Sequence, residues 1–271
     1  KHLGIGSFQG NPNGNIYFPN SKGAIGDAPP YPTLTGTRID AERSRLTTYE
    51  PPVVMLPHGK LGQSPTGIAL IENDKFGPFK GQLLVGEQTF SQVQRIFLEK
   101  VNGVWQGAAF SFLNGFKSGN IAIRLADDGT LFNGGSNRGW GARGGKDEAL
   151  ERVRWTGKTP FEVQEMKARP KGFQLRLTEP VDPATAVDGS FTMTAYTYIY
   201  QPAYGSPEVD PVTPKMKVTG ISEDGMTVDL QVEPLTKGHV HELTIPGLRN
   251  RAGKPLLHPT GYYTLNEIPA K

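Results

Sequence analysis

The chain has 271 residues, of which 36% are hydrophobic, and this is enough for one large domain or two ordinary domains with a real core. The formal net charge is only +3 and the lysines and arginines are scattered, so the electrostatic signature of a nucleic-acid-binding protein is missing. The absence of cysteine excludes disulfides, thiolate metal sites, cysteine nucleophiles and a C-x-x-C-H haem attachment within this chain.

The N-terminal sequence, KHLGIGSF, has no initiator methionine and no apolar core of a signal peptide, so we expect a cut or mature end. No apolar run approaches the roughly 20 residues that span a bilayer, and we expect no membrane span. The chain contains 34 glycines and 23 prolines, a composition that favours short strands joined by many turns.

The first half of the chain predicts a wrapping segment followed by short antiparallel strands. Residues 9–35 are rich in Gly, Pro and Asn, so few ladder hydrogen bonds can form there. From residue 53 onward, β-rich runs such as GQLLVGE, VQRIFLEKV and NIAIRLA alternate with hairpin signals such as NG and DDG. This spacing is typical of four-stranded propeller blades, and residues 1–157 supply about three of them, too few to close a ring.

The second half predicts a different all-β unit. The runs GFQLRLTEPVD, TVDLQV and HVHELTI alternate apolar and polar residues, as the strands of a two-sheet sandwich do. The segment WTGKTP at 155–160 marks the junction. The sequence thus predicts an all-β protein with a wrap and a partial propeller over residues 1–157 and an immunoglobulin-like sandwich over residues 158–271.

Several segments carry a resemblance to known families: PVVMLPHGKLGQSPTGIAL, KFGPFKGQLLVGEQTFSQVQRIFLEKVNGVWQGAAF and GNIAIRLADDGTLFNGGSNRGWGARGG. They resemble the C-terminal part of secreted bacterial glucose/sorbosone-dehydrogenase-like β-propeller proteins, which are often joined to cytochrome c domains. This resemblance covers residues 50–269. The last hundred or so residues also resemble bacterial immunoglobulin-like domains, through TEPVDPATA and GLRNRAGKPL.

The resemblance implies the C-terminal portion of a periplasmic or extracellular sugar dehydrogenase whose main redox groups lie outside this chain. It implies PQQ or haem c in the complete protein and no cofactor within this chain. Such enzymes hold the quinone with an R-x-R-D strand before a D-G turn, but residues 118–121 at that place read SGNI and lack both arginines. The alternative is therefore a non-catalytic carbohydrate-binding or assembly module on a propeller scaffold.

Three polar residues are candidates for chemistry on a sugar. His58 lies in PHGKLGQSP and could be the catalytic base that removes a hydroxyl proton, or a turn histidine bonded to backbone. Glu87 and Gln88 end the strand GQLLVGEQ and could bind substrate at a propeller axis, or cap the strand.

The stretch SNRGWGARGG at 136–145 is the strongest candidate for a cofactor site. Its glycines permit a tight connection around Arg138, Trp140 and Arg143. Arginines can clamp a carboxylate and a tryptophan can stack on a flat cofactor or a sugar face. The alternative is a plug between blades, with Trp140 buried and the arginines paired to nearby acids.

Two further clusters favour structural roles. His239 and His241 share one face of a strand, but without an evident third ligand they are a weak metal signal, and we predict no metal site. The tyrosines 196, 198 and 200 also share one face and are expected in a sandwich core or an inter-domain contact.

Three blades would expose apolar faces and strand edges to water, which forfeits a free energy on the order of 10 kcal/mol. We therefore expect further blades from another chain, from an N-terminal part of the same protein or from a second copy. A cytochrome c domain and a carbohydrate are further expected partners; nucleic acid is not.

Overall fold

The computed structural model describes residues 37–41, 52–137, 139–199 and 206–270, and these fold mostly into antiparallel β-structure. The predicted all-β class is confirmed. The wrapping segment expected over residues 9–35 lies outside the described residues.

The strands of the first half are β1 (Pro65–Leu70), β2 (Leu83–Glu87), β3 (Gln92–Val101), β4 (Val104–Leu113), β5 (Asn120–Leu125), β6 (Leu131–Ser136) and β7 (Glu148–Val153). Those of the second half are β8 (Val163–Arg169), β9 (Gly172–Leu177), β10 (Thr192–Tyr198), β11 (Glu208–Val212), β12 (Lys215–Ile221), β13 (Thr227–Glu233), β14 (His239–Thr244) and β15 (Thr260–Leu265). Short 3-10 helices span Asp74–Phe76, Pro183–Thr185 and Asp188–Ser190.

The predicted hairpin signals form turns in the structure. Asn102 and Gly103 both have positive φ, 49° and 85°, and join β3 to β4, as a tight two-residue hairpin requires. Gly129, with φ of 82°, lies in the DDG turn between β5 and β6. The local turn chemistry therefore predicts these two connections correctly.

The strands form three sheets. The largest has eight strands in the order β1-β2-β3-β4-β15-β14-β10-β11, the second has the order β12-β13-β9-β8, and the third has the order β5-β6-β7. Both sides of the boundary predicted at residues 157 and 158 contribute to the largest sheet, because β4 pairs with β15 from Gly261↔Phe110 to Thr264↔Gly107. No closed propeller is present among the described residues, since the meander β1–β4 continues into β15.

The eight-stranded sheet is covered on both faces. Its face toward the four-stranded sheet shares one core with it, which includes Phe110, Phe173 and Tyr263. The β5-β6-β7 sheet covers another part of the large sheet through a second core around Ile123 and Leu131. The segment 53–61 packs on a third core with Tyr196, Tyr198 and Val240. Residues before and after the predicted boundary thus pack into common cores.

Candidate functional site

An aromatic pocket of about 180 Å³ opens where the three sheets meet. Phe79 and Phe112 line it from the first half of the chain, and Trp155, Glu162 and His258 line it from the segment after β7 and from the loop before β15. The rings of Phe79 and Phe112 meet edge to face with centroids 5.2 Å apart. The pocket has room for a group of about the size of one side chain.

A carboxylate and an imidazole form the polar wall of this pocket. The Glu162 carboxylate lies 2.6 Å from Nδ1 of His258, and Glu162 is only 1% exposed. The backbone of Glu162 is held in place because its N–H donates to the Thr178 hydroxyl and its carbonyl accepts from the Thr178 N–H. When His258 is protonated, the two side chains form an ion pair in which each neutralises the charge of the other.

Arg95 lies beside the pocket at the junction between the sheets and is 1% exposed. Its guanidinium donates to Oε1 of Gln82 at 2.5 Å and to the backbone carbonyls of Gln164 at 3.0 Å and Val163 at 2.6 Å. It also lies over the rings of Phe79 and Phe110, at 4.3 and 4.6 Å from their centroids. Burial lowers the pKa of Arg95 to about 10, while nearby Glu162 raises it, so the side chain stays charged at neutral pH.

A second buried polar network joins the same two parts of the chain. The Glu99 carboxylate of β3 accepts hydrogen bonds from the Tyr263 hydroxyl of β15 at 2.5 Å and from the Ala168 N–H of β8 at 2.7 Å. The Gln106 side chain donates to the Tyr263 oxygen at 2.8 Å. Burial raises the pKa of the Tyr263 hydroxyl, and the negative charge of Glu99 raises it further by a smaller amount. The tyrosine therefore remains a neutral donor.

The predicted substrate ligand Glu87 is fully buried, and its carboxylate faces backbone. One oxygen accepts from the N–H groups of Gln63 and Ser64 at 2.9 and 2.5 Å, and the other accepts from the Phe90 N–H at 2.5 Å. Three backbone donors supply the hydrogen bonds that a buried carboxylate needs in the absence of water. They also link the segment before β1 to the turn after β2.

The glycine-rich loop at 136–145 is fastened to that same turn. Gln88 donates to the Gly141 carbonyl at 3.1 Å, and the Arg143 guanidinium lies 4.6 Å from the centre of the Phe90 ring. Trp140 is 76% exposed, so it is not the buried plug that the alternative interpretation predicted. Arg138, the third predicted cofactor ligand, lies outside the described residues. The structure thus brings Gln88 and Arg143 together around one turn, and their cofactor role stays a prediction.

His58, the predicted catalytic base, lies in a turn and is partly buried. This turn closes through hydrogen bonds from the N–H groups of Leu61 and Gly62 to the Pro57 carbonyl, and His58 bridges to Gly62. The location agrees with the turn histidine that the sequence offered as an alternative, while the catalytic role stays a prediction.

The two predicted strand histidines lie on β14 in different environments. His241 is fully buried and meets the Phe173 ring at 5.4 Å, whereas His239 is partly exposed. Burial lowers the pKa of His241 to about 3, with a smaller contribution from the charge of His239. Within the described ranges, no group of three or more His, Asp or Glu side chains could hold a metal ion.

The strand before the Asp128–Gly129 turn does not fit a quinone. Ser118 donates to the Lys146 carbonyl at 2.8 Å, and Asn120 donates to the Gln92 carbonyl at 2.7 Å, so both side chains are bonded within the protein. Neither carries a cation for a quinone carboxylate. PQQ or haem c elsewhere in the complete protein stays a prediction.

The sequence interpretation missed Arg95, Glu99 and the Glu162–His258 pair. The one available signal is Arg95 inside the apolar run VQRIFLEKV, since arginine is almost never fully buried without partners. Apart from Gln82, the hydrogen-bond partners named above that join them to the other half of the chain lie more than 60 positions away, so the sequence contains no local pattern that identifies them.

No family model and no curated protein matches the chain. Part of it is similar to the structure of surface layer protein SbsC, domains 1-6, with a TM-score of 0.31 and 24% identity over 42% of this chain and 15% of that chain. It is also similar to the N-terminal part of the bacterial S-layer protein SbsC, with a TM-score of 0.28 and 22% identity over 42% of this chain and 25% of that chain. The chain thus spans a quarter or less of the length of these two structures.

These findings correct the resemblance to glucose/sorbosone-dehydrogenase-like propellers. The predicted family and the predicted oxidoreductase function are wrong: no family model and no curated protein supports them, the described strands form no closed propeller, and the two similar structures are those of a surface-layer protein. The short strands that suggested blades belong instead to the β1–β4 meander, which continues into β15, and to the separate β5-β6-β7 sheet. Strand spacing alone does not distinguish these two arrangements, because both use antiparallel meanders.

Among the described residues, no helix has the length and apolar character needed to cross a membrane.

Proposed function

We propose that the chain is a structural, non-catalytic module of a protein outside the cell, in which a β-sandwich and the preceding meander form one rigid body. The observation that carries this proposal is Arg95, a buried cation of β3 that donates hydrogen bonds to two backbone carbonyls of β8 in the sandwich. A charge that is removed from water must keep all its partners in place, so its burial opposes hinge motion between the two parts.

The sandwich part is assigned as immunoglobulin-like from its strand order. If β8–β15 are lettered A, B, C, C′, D, E, F and G, one sheet has the order D-E-B-A and the other C′-C-F-G. This division matches the two sheets of the immunoglobulin fold, an architecture that many cell-surface domains share. It supports the location outside the cell, as a structural rather than catalytic unit.

The polar side chains that could act on a substrate form hydrogen bonds within the protein, and this also supports a structural role. The Glu87 carboxylate is surrounded by backbone N–H groups, and the Gln88 amide holds the glycine-rich loop. The Glu162 carboxylate is paired with His258. Side chains with these partners stabilise the fold, and using them on a substrate would break those contacts.

The experiment that tests this proposal is thermal unfolding of the wild type and of Arg95→Met, followed both by tryptophan fluorescence and by far-ultraviolet circular dichroism. The wild type should unfold in one transition with coincident midpoints. Arg95→Met removes this donor from the Val163 carbonyl and one of two donors from the Gln164 carbonyl, which keeps the Gln82 amide. It should lower stability by about 2–4 kcal/mol and separate the two midpoints.

Arg124→Met is the matched control, because Arg124 is an exposed arginine of β5 and its loss should leave one transition. Two separate transitions in the wild type, or an Arg95→Met protein as stable and cooperative as the control, would overturn the rigid-module proposal.

A further inference from the structure

Strand β7 forms one edge of the three-stranded sheet. It pairs with β6 over six consecutive positions, from Ser136↔Glu148 to Leu131↔Val153, without a register shift. Among the described residues, no strand pairs with its other side. β7 therefore presents a regular row of backbone donors and acceptors, which is a template for another strand.

Three other edge strands are covered by parts of the same chain. Strands β1 and β5 are edges of different sheets and pack closely on each other, since a Cβ at Gly67 would lie 2.9 Å from the Ile123 nitrogen. Strand β8 is bonded along its outer side, since Arg95 donates to its Val163 carbonyl and Glu99 accepts from its Ala168 N–H. These edges are closed to a further strand.

The remaining two edges carry features that discourage strand addition. In β11, Pro211 removes a donor and Asp210 has a φ of 52° within a bulged pairing. In β12, Lys215 and Lys217 alternate along an irregular pairing. Lysine, proline and bulges are the devices by which proteins protect edges from pairing. β7 has no proline or lysine and no bulge.

The outward face of β7 carries a leucine between opposite charges. Leu150 is 81% exposed, and Glu148 and Arg152 stand two residues before and after it on the same face. On the neighbouring strand, Phe132 lies opposite Arg152 and is 41% exposed. When a second copy of this strand runs antiparallel to the first, its base lies opposite the acid, its leucine opposite the leucine and its acid opposite the base.

We propose that β7 is a self-association edge, at which two copies of this chain pair antiparallel about a two-fold axis through Leu150. Leu150 then lies opposite Leu150 of the second copy. Glu148 lies opposite Arg152 of the second copy, and the symmetry repeats this ion pair on the other side. The two three-stranded sheets become one six-stranded sheet with a shared outer face.

The symmetry limits which registers are possible. A two-fold axis perpendicular to the sheet keeps each residue on its own face, so opposed residues must be separated by an even number of positions. A shift of the axis to Glu151 places two like-charged carboxylates opposite each other. A shift to Ala149 places Glu148 against Leu150. Centring on Leu150 matches the two charge pairs and the leucines, and cross-strand pairs of these kinds stabilise a sheet.

This inference deepens the proposed structural role and rests on it, because it supplies a contact through which such modules assemble. The two can fail separately. The rigid-module proposal is tested within one chain at Arg95, whereas self-association is tested between chains at β7, which lies on a different sheet.

The test is sedimentation velocity over a concentration series from low micromolar to about 1 mM, using the whole chain. The wild type should show a monomer–dimer equilibrium. E148R and R152E each place like charges opposite each other and should weaken the dimer at least tenfold. The double variant E148R/R152E should restore it.

Mixing the two single variants provides a second measurement. In E148R both charged positions of β7 carry arginine, and in R152E both carry glutamate, so a dimer of one with the other pairs opposite charges at both places. The mixture should form dimers when neither variant does so alone. Circular dichroism should show that both variants fold, since these side chains are exposed. A wild type that stays monomeric at every concentration would overturn the proposal, as would single variants that associate like the wild type.

Discussion

The hydroxyl of Tyr263 donates a hydrogen bond of 2.5 Å to the carboxylate of Glu99, although the two residues lie 164 positions apart on β15 and β3. Both are at the seam where the meander joins the sandwich, and the same carboxylate also accepts from the backbone of β8. One half-buried acid on β3 therefore joins β15 and β8 to the first half of the chain.

Replacing Tyr263 by Phe removes this donor while keeping the ring that packs on Phe173. The half-buried Glu99 carboxylate loses one of its two hydrogen-bond donors, and the free energy of unfolding should fall by about 1–3 kcal/mol. Urea denaturation measures the change. Tyr262→Phe is the control, because that neighbouring side chain points to the opposite face, and equal losses in both variants would contradict the role of the Glu99 contact.

Replacing Glu87 by Gln tests whether the buried carboxylate is structural. The amide nitrogen of Gln would face a backbone N–H where the wild type has an acceptor, so stability should fall by about 2 kcal/mol or more. Thermal melts measure this. Glu72→Gln changes an exposed acid and should be nearly neutral. A Glu87→Gln protein with unchanged stability would show that the three backbone bonds contribute nothing.

The buried His241 should make the protein acid-sensitive. Burial lowers its pKa from 6.5 to about 3, so between these values the unfolded chain binds a proton that the folded chain does not. Above about pH 6.5, His241 is neutral in both states and does not reduce the free energy of unfolding. As the pH falls below 6.5, proton binding by the unfolded chain lowers the free energy of unfolding, by about 2 kcal/mol at pH 5. Unfolding free energies measured from pH 7 to pH 4 give the slope.

His241→Gln should have a shallower decline of stability with acid than the wild type, whatever its stability at neutral pH. His239→Gln, on the same strand but partly exposed, should keep the wild-type slope. An unchanged slope in His241→Gln would show that other groups cause the acid sensitivity.

The segment 158–271, over which the sequence predicts an immunoglobulin-like sandwich, offers a test of the seam. Alone it would leave β15 without β4 and would uncover core side chains that Phe97 and Phe110 contact in the complete chain. We expect it to be insoluble or to lack a cooperative melt, whereas the full chain should melt cooperatively. A soluble segment with a sharp transition would favour the predicted boundary.

The sequence by itself determined the local features of this protein. The turn residues Asn102–Gly103 and Asp128–Gly129 predicted two hairpins, and the alternating runs predicted an all-β chain, because these signals depend on neighbouring φ angles and on a two-residue period. The shared face of Tyr196 and Tyr198 followed from the same period, and both are buried.

Only the tertiary structure decided which strands are neighbours and which charges are buried. Alternation marks the inward face of a strand but does not identify its partner, so the pairing of β4 with β15 and the burial of Arg95 were not predictable from local pattern. The structural role of Glu87 also depends on the tertiary structure, because the folded chain places three backbone N–H donors around its carboxylate. Long-range pairing depends on the packing of the whole core. The β1–β4 meander therefore pairs with β15 in an eight-stranded sheet, where the sequence predicted blades of a partial propeller.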